Sequence, residues 1–183
     1  VAIIAGSLFM WQYVNDFLSK SRAAVDKISI TMSPKSGSLG VNEDKVIDLF
    51  IQSDNDDKKI SGVDLTISAE GGVSILSLTA PASPGNTNLK ASQIISDIKE
   101  KQAHVAYVFT NPSSELSPIL QMQLKIKGSS PGSGKIVIDK IKTEIAGTTT
   151  GNVFELGSFD EAGFSISGQA GPSVTLKILP KHI

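Results

Sequence analysis

The stretch of this sequence most suggestive of chemistry is GSSPGSGKIV, Gly128–Val137, a glycine-rich run that ends on a lysine. A phosphate loop has this character, because glycine backbone N–H groups cradle phosphate and the lysine neutralises it. The spacing here departs from that requirement. Five residues, not four, separate Gly128 from Gly134, and Lys135 is followed by Ile136 rather than Ser or Thr. A strand pattern follows where a helix N-terminus is needed, so a hairpin-like turn is expected. The second candidate is SDNDDKK, Ser53–Lys59, whose Asp54, Asp56 and Asp57 carry the oxygen ligands that calcium takes. It has no Gly at the sixth loop position and no Glu at the twelfth, and reads as a solvated turn. Asp160 and Glu161 in FDEAG also read as turn residues. His104 and His182 lie far apart and make no recognisable metal pair. With no cysteine in the chain, disulfides, thiolate nucleophiles and cysteine metal sites are excluded. Without an identifiable Ser–His–Asp arrangement, nucleophilic hydrolysis has no support. Trp11, Tyr13 and Tyr107 are the only Trp and Tyr residues, and two of them lie in the N-terminal segment. The body therefore has little with which to stack sugars. The expectation is a chain that is not an enzyme and needs no cofactor or metal.

The elements that would position any site are strands. The 183 residues carry 17 basic and 18 acidic side chains, a net charge of −1, so nothing attracts nucleic acid or anionic lipid. Sixteen glycines, with plentiful Ser, Thr and β-branched residues, favour an all-β body with many turns. From Lys27 apolar residues recur at every second position. ISITMSP (Ile28–Pro34), KVIDLFIQS (Lys45–Ser53), ISGVDLTISAEG (Ile60–Gly71) and GVSILSLTA (Gly72–Ala80) read as strands. SPILQMQLKIKG is the clearest, with Leu120, Met122, Leu124 and Ile126 alternating against Gln121, Gln123, Lys125 and Lys127. KSGSLGVNEDK reads as a loop. In GKIVIDKIKTEIA, Ile136 and Ile138 are out of phase with Ile141 and Ile145, and a bulge near Asp139–Lys140 would restore the register. VFELG, GFSIS and SVTLKIL complete the set. Residues 103–110 read as strand; 89–100 stay undecided, since Ile94, Ile95 and Ile98 also suit a short helix. Eight or nine short strands between Gly/Pro/Ser/Asn turns predict a β-sandwich.

The run ISITMSPKSGSL…KVIDLFIQS…ISGVDLTIS…VSILSL resembles a cohesin domain, the jelly-roll β-sandwich related to bacterial carbohydrate-binding modules. The ending GTTTGNVFELGSFDEAGFSISG strengthens the likeness, which covers Ile28–Gly168. It rests on pattern and order rather than on a diagnostic motif. The resemblance implies a mainly β, jelly-roll sandwich. In cellulosomes cohesins bind dockerins, but no dockerin-contacting residue can be mapped onto this chain.

The first segment, VAIIAGSLFMWQYVNDFLSKSRAAV (Val1–Val25), changes the period to that of a helix. Ile4, Leu8, Trp11, Val14 and Leu18 fall at spacings of three and four and share one face. Polar residues enter only from Gln12, so the helix is apolar all round at its start and must be surrounded there by lipid or protein. It lacks the basic first region and the small-residue cleavage site of a signal peptide. As a membrane anchor its uncharged run is short against the ~20 residues that span a bilayer. As a buried assembly helix its ~37 Å and graded polarity fit. The layout resembles type IV pilins, whose mature chains begin on a greasy helix that packs in the filament core. Ala5 and Val1 stand where bacterial pilins usually carry glutamate and an aromatic residue, which leaves a pilin-like or archaeal-type arrangement. The organisation expected is therefore a hydrophobic helix (1–26), a cohesin-like sandwich (27–168), then a linker and C-terminal strand (169–183). In the strand, Val174, Leu176 and Ile178 either complete the same sheet or add to a neighbouring subunit. The function expected is a structural subunit of an extracellular or cell-surface filament, held in the membrane before assembly. Its partners would be copies of itself, with no nucleic acid. The alternative is a membrane-anchored module that binds a dockerin-type or other surface ligand.

Overall fold

The alternation read from the sequence becomes strands wherever one face can be buried. A computed structural model of the chain describes residues 26–84, 86–111, 115–147 and 153–168. The expected assembly helix, with Ile4, Leu8, Trp11, Val14 and Leu18, lies outside the described residues, as do Val174, Leu176 and Ile178. Twelve strands and no α-helix are present among the described residues: β1 (Lys27–Ser33), β2 (Ser36–Gly40), β3 (Asp44–Ser53), β4 (Ile60–Gly71), β5 (Val73–Leu78), β6 (Ala91–Ile98), β7 (Gln102–Phe109), β8 (Ile119–Gly128), β9 (Gly132–Ile138), β10 (Glu144–Gly147), β11 (Glu155–Phe159) and β12 (Ala162–Ser167).

They form two facing sheets. One runs β11-β1-β3-β8-β5; the other runs β2-β12-β9-β4-β7-β6, with β10 also paired to β4. Ile47, Leu49 and Ile51 of β3 and Leu120, Met122, Leu124 and Ile126 of β8 are fully buried, facing Leu65 and Ile67 of β4 and Val105 of β7. Burying such side chains is worth ~1.5–3 kcal/mol each, and it fixes the register, since a slip of one residue would turn each set to solvent.

The structure corrects several expectations. The loop expected at KSGSLGVNEDK contains β2, which buries only Leu39 and is held by parallel pairing with β12, from Gly163↔Ser36 to Ser167↔Gly40. Alternation that brief leaves no sequence signal. The undecided stretch 89–100 contains β6, paired with β7. A bulge between Gln93 and Ile95 makes Ile94 an extra residue and gives the isoleucines their helix-like spacing. The break in GKIVIDKIKTEIA is larger than a bulge. Ile138 pairs with Ile67 and Glu144 with Asp64, so six steps on one strand answer three on the other. The three extra residues loop outward and carry Ile141 to 95% exposure. Finally, GSSPGSGKIV is no hairpin: β8 and β9 belong to opposite sheets.

Two sheet-to-sheet crossings lie side by side. β4 passes to β5 through Gly72 alone, and β8 passes to β9 through Ser129–Pro131. The Gly72 carbonyl accepts bonds from the Ser129 and Ser130 backbone N–H groups and from the Ser129 hydroxyl. Gly72 N–H donates to the Ser133 carbonyl. Gly71 sits at φ +64, and a Cβ there would lie 2.2 Å from the Ser133 oxygen, so only glycine fits this corner.

A candidate docking face on the larger sheet

On β4 and β7 the residues that point away from the core are Gly62, Asp64, Thr66 and Ser68, and Gln102, His104, Ala106 and Val108. The first set follows from the inward burial of Val63, Leu65, Ile67 and Ala69, the second from that of Ala103, Val105, Tyr107 and Phe109. Register then sets the neighbours. Val108 stands opposite Gly62, Ala106 opposite Asp64, and His104 opposite Thr66. On the far side of β4, Glu144 stands opposite Asp64 and Ala146 opposite Gly62. On the far side of β7, Asp97 stands opposite His104.

This outer face has two zones. One is a shelf of small residues, Gly62, Ala106 and Ala146, beside Val108, which is 43% exposed. The other is a shallow depression of about 390 Å³ lined by Asp64, Thr66, Asp97, Gln102, His104, Ile141, Lys142 and Glu144. Within it His104 Nε2 lies 2.7 Å from Asp64 Oδ1, a diagonal cross-strand pair. Lys99 engages Asp97 at 2.6 Å, and Lys142 turns to Asp139 at 3.3 Å. Glu144 has no ion-pair partner among the described residues, although it stands directly opposite the Asp64 carboxylate. Like charges in that position repel, so the depression keeps unneutralised negative charge. Thr66, like Gly62 and Ala106, is buried on this face. Its N–H donates to the Thr143 hydroxyl and its own hydroxyl to the Lys142 carbonyl, which ties the outward loop 139–143 to the sheet.

The other sequence candidates fall elsewhere. The Ser129 and Ser130 amides of the phosphate-loop look-alike are spent on Gly72. In SDNDDKK, Asp54 accepts from the Lys27 N–H and Asn55 bonds Asp26, so these groups hold the turn to β1. Among the described residues no group of three or more His, Asp or Glu is placed to hold a metal. Asp160 accepts from Lys35 at 2.9 Å and from the Met32 N–H at 3.2 Å. The Lys35 ammonium, joined by that N–H, holds its carboxyl below the usual carboxylate range. Tyr107 is buried, and burial pushes its hydroxyl upward, so it offers no sugar platform. Sequence reasoning placed His104 beside a strand but missed its partner. The alternation of AHVAYVF already sets His104 opposite in facing to the buried Ala103 and Val105.

With the geometry in place, the sandwich can be compared with known proteins. No protein-family model matches the sequence, and no curated protein is significantly similar to it. Solved structures do match. A non-cellulosomal cohesin from the hyperthermophilic archaeon Archaeoglobus fulgidus aligns at 14% identity with a TM-score of 0.54, over 79% of this chain and 92% of that one. A cohesin module from a Clostridium perfringens family 33 glycoside hydrolase aligns at 10% identity with a TM-score of 0.57, over 79% and 98%. A chain of a type I cohesin–dockerin complex from Clostridium thermocellum aligns at 15% identity with a TM-score of 0.55, over 77% and 99%. The fold is a cohesin-like β-sandwich, as the order of segments predicted.

Proposed function

We propose that the sandwich is a protein-binding module that docks its partner on the outer face of the larger sheet. The observation that carries this reading is the pairing of exposed aliphatic side chains, Ile141 and Val108, with a depression that keeps unneutralised negative charge. Exposed apolar surface beside unneutralised charge marks an interaction face better than either feature alone. Solved cohesins of the same fold are found in complexes with dockerins, which supports a dockerin-type partner. The partner would lay an aliphatic patch over Ile141 and Val108 and place a Lys or Arg between Asp64 and Glu144. The segment 1–26 would hold the module at the cell surface.

The test is calorimetric titration of the full chain with dockerin-type modules encoded in the same genome, alongside Ile141→Asp and Glu144→Lys variants. Binding that both substitutions weaken supports the face. No binding by any such module, or binding indifferent to both substitutions, removes it.

A second reading, a subunit of a pilus-like filament with sandwiches outside, is favoured by the uncharged run Val1–Trp11 and by the shared face of Ile4, Leu8, Trp11, Val14 and Leu18. Cryo-electron microscopy of native material without detergent separates the two. Regular filaments support the subunit, and isolated sandwiches on vesicles support the anchored module.

A further inference from the structure

The strand path of the larger sheet ends at β2 on one side and β6 on the other; the smaller sheet ends at β11 and β5. Of these four edges β6 is the longest, with eight residues against five, five and six. Among the described residues its backbone is paired on the β7 side only. Edges of this kind are usually blunted with lysine or proline, yet ASQIISDI contains neither, and its single charge, Asp97, is engaged by Lys99. Ile94, the extra residue of its bulge, is 65% exposed. β5 approaches β6 across the sandwich, and Leu76, the extra residue of β5's own bulge, is 41% exposed. This side of the molecule thus offers an unpaired backbone edge flanked by aliphatic side chains.

The chain carries a segment of matching chemistry. SVTLKIL, Ser173–Leu179, is seven residues long and alternates Val174, Leu176 and Ile178 with Thr175 and Lys177. It follows β12, which is already paired on both sides, by β2 and β9. A strand outside β6 would stand five inter-strand spacings from β12, about 24 Å. Residues 168–173 span at most ~20–22 Å when fully extended, so the segment of the same copy falls short of it. The β2 edge is nearer, but Ser36, Gly37 and Ser38 are exposed and give the aliphatic side chains nothing to pack on.

We propose that Ser173–Leu179 of one copy adds as a strand to the free edge of β6 in a second copy. Backbone hydrogen bonds would supply affinity, and Val174, Leu176 and Ile178 would cover Ile98, Ile94 and Leu76. Donor and acceptor surfaces differ, so the contact is head-to-tail and builds open chains of copies. It is independent of the docking face.

The absence of cysteine makes a trapping experiment clean. Full-length chains carrying Ile94→Cys are mixed with full-length chains carrying Leu176→Cys under mild oxidant. The expected result is a covalent dimer forming at least ~10-fold faster than from Ser38→Cys with Leu176→Cys, because the bound strand raises the local thiol concentration. Equal rates, or faster trapping at Ser38→Cys, would overturn the proposal. So would intramolecular closure of the doubly substituted Ile94→Cys/Leu176→Cys chain at high dilution. A second variant, the Ile94→Cys chain without residues 171–183, should keep its strand circular-dichroism signal and still be trapped by the full-length Leu176→Cys chain. Unfolding of that variant would make the segment a strand of its own sandwich and overturn exchange between copies.

Discussion

Three glycines form a graded test of the corner at which the chain leaves the larger sheet. At Gly71 an added Cβ meets two penalties: φ is +64, and the Ser133 oxygen lies 2.2 Å away. The left-handed conformation costs a residue with a Cβ ~1–2 kcal/mol. Relieving the overlap requires the Ser133 carbonyl to retreat, which breaks its bond from the Gly72 N–H at 2.9 Å. An orphaned donor costs a further ~1–3 kcal/mol. Lower chain entropy in the unfolded state returns ~0.4–1 kcal/mol. Gly71→Ala should therefore lose about 2–4 kcal/mol, a fall of ~1–2 M in the urea midpoint at a slope near 2 kcal/mol/M. Gly132 lies at φ +129 with nothing within 4 Å of a Cβ, so Gly132→Ala isolates the backbone penalty at about 1–3 kcal/mol. Gly163 has neither a positive φ nor a neighbour within 4 Å, and Gly163→Ala should stay within about 0.5 kcal/mol of the parent. The assay is urea unfolding of the full chain followed by far-ultraviolet circular dichroism, since the single tryptophan, Trp11, lies outside the described residues. Three equal losses, or a Gly71→Ala loss no greater than that at Gly163, would refute the account of the crossing.

Asp160 links the turn before β12 to β1 and Lys35, and its native pKa is depressed. A depressed carboxyl stabilises above its unfolded pKa of about 3.9, and that contribution is lost as pH falls toward the native value. Asp160→Asn should destabilise the sandwich at neutral pH and flatten the fall in stability below pH ~4; parallel acid profiles for parent and variant would contradict this. Ile141→Asp should leave the unfolding midpoint unchanged to within about 0.5 kcal/mol, because the side chain is 95% exposed. It should nevertheless weaken a bound partner ~10–100-fold if that partner covers the residue, a contrast read by chemical denaturation beside calorimetry. Leu65→Ala, in the fully buried centre of β4, should cost ~2–5 kcal/mol by the same denaturation assay. Leu8→Glu or Trp11→Glu should abolish polymerisation in the filament reading, and normal filaments by electron microscopy from either variant would count against it.

What the sequence revealed depended on how long each strand buries one side. β3 and β8 pair along nine positions, from Asp44↔Lys127 to Gln52↔Ile119, and both alternate cleanly because one face is core and the other solvent. β4 was equally clear except at Thr66, buried by bonds to a loop 77 residues away. β2 is short, and its order comes from a partner at the far end of the chain. At β6 the bulge imitates helical spacing. The docking face was half legible. That His104 points outward follows from AHVAYVF alone. That it meets Asp64 follows from antiparallel pairing between strands 40 residues apart, which no local pattern encodes. The outward position of Ile141 was hidden for a related reason: a phase break in an apolar pattern does not distinguish one extra residue from three.

The docking face and the β6 edge use different chemistry and yet share a strand. Asp97 lines the depression and belongs to β6, so a strand added at that edge would extend the same outer surface. If Val174, Leu176 and Ile178 turn toward the core, Thr175 and Lys177 must turn outward, on the side where Asp64, Asp97 and Glu144 gather. A neighbour's strand would then bring a lysine beside Asp97, while Glu144, on β10 beyond β4, stays four inter-strand spacings away, about 19 Å. That exceeds the ~8 Å Debye length at physiological salt, so the negative charge at Asp64 and Glu144 persists in a chain of copies. Docking and assembly would therefore stay separable, and salt should weaken capture of a basic partner to the same extent for free and assembled copies.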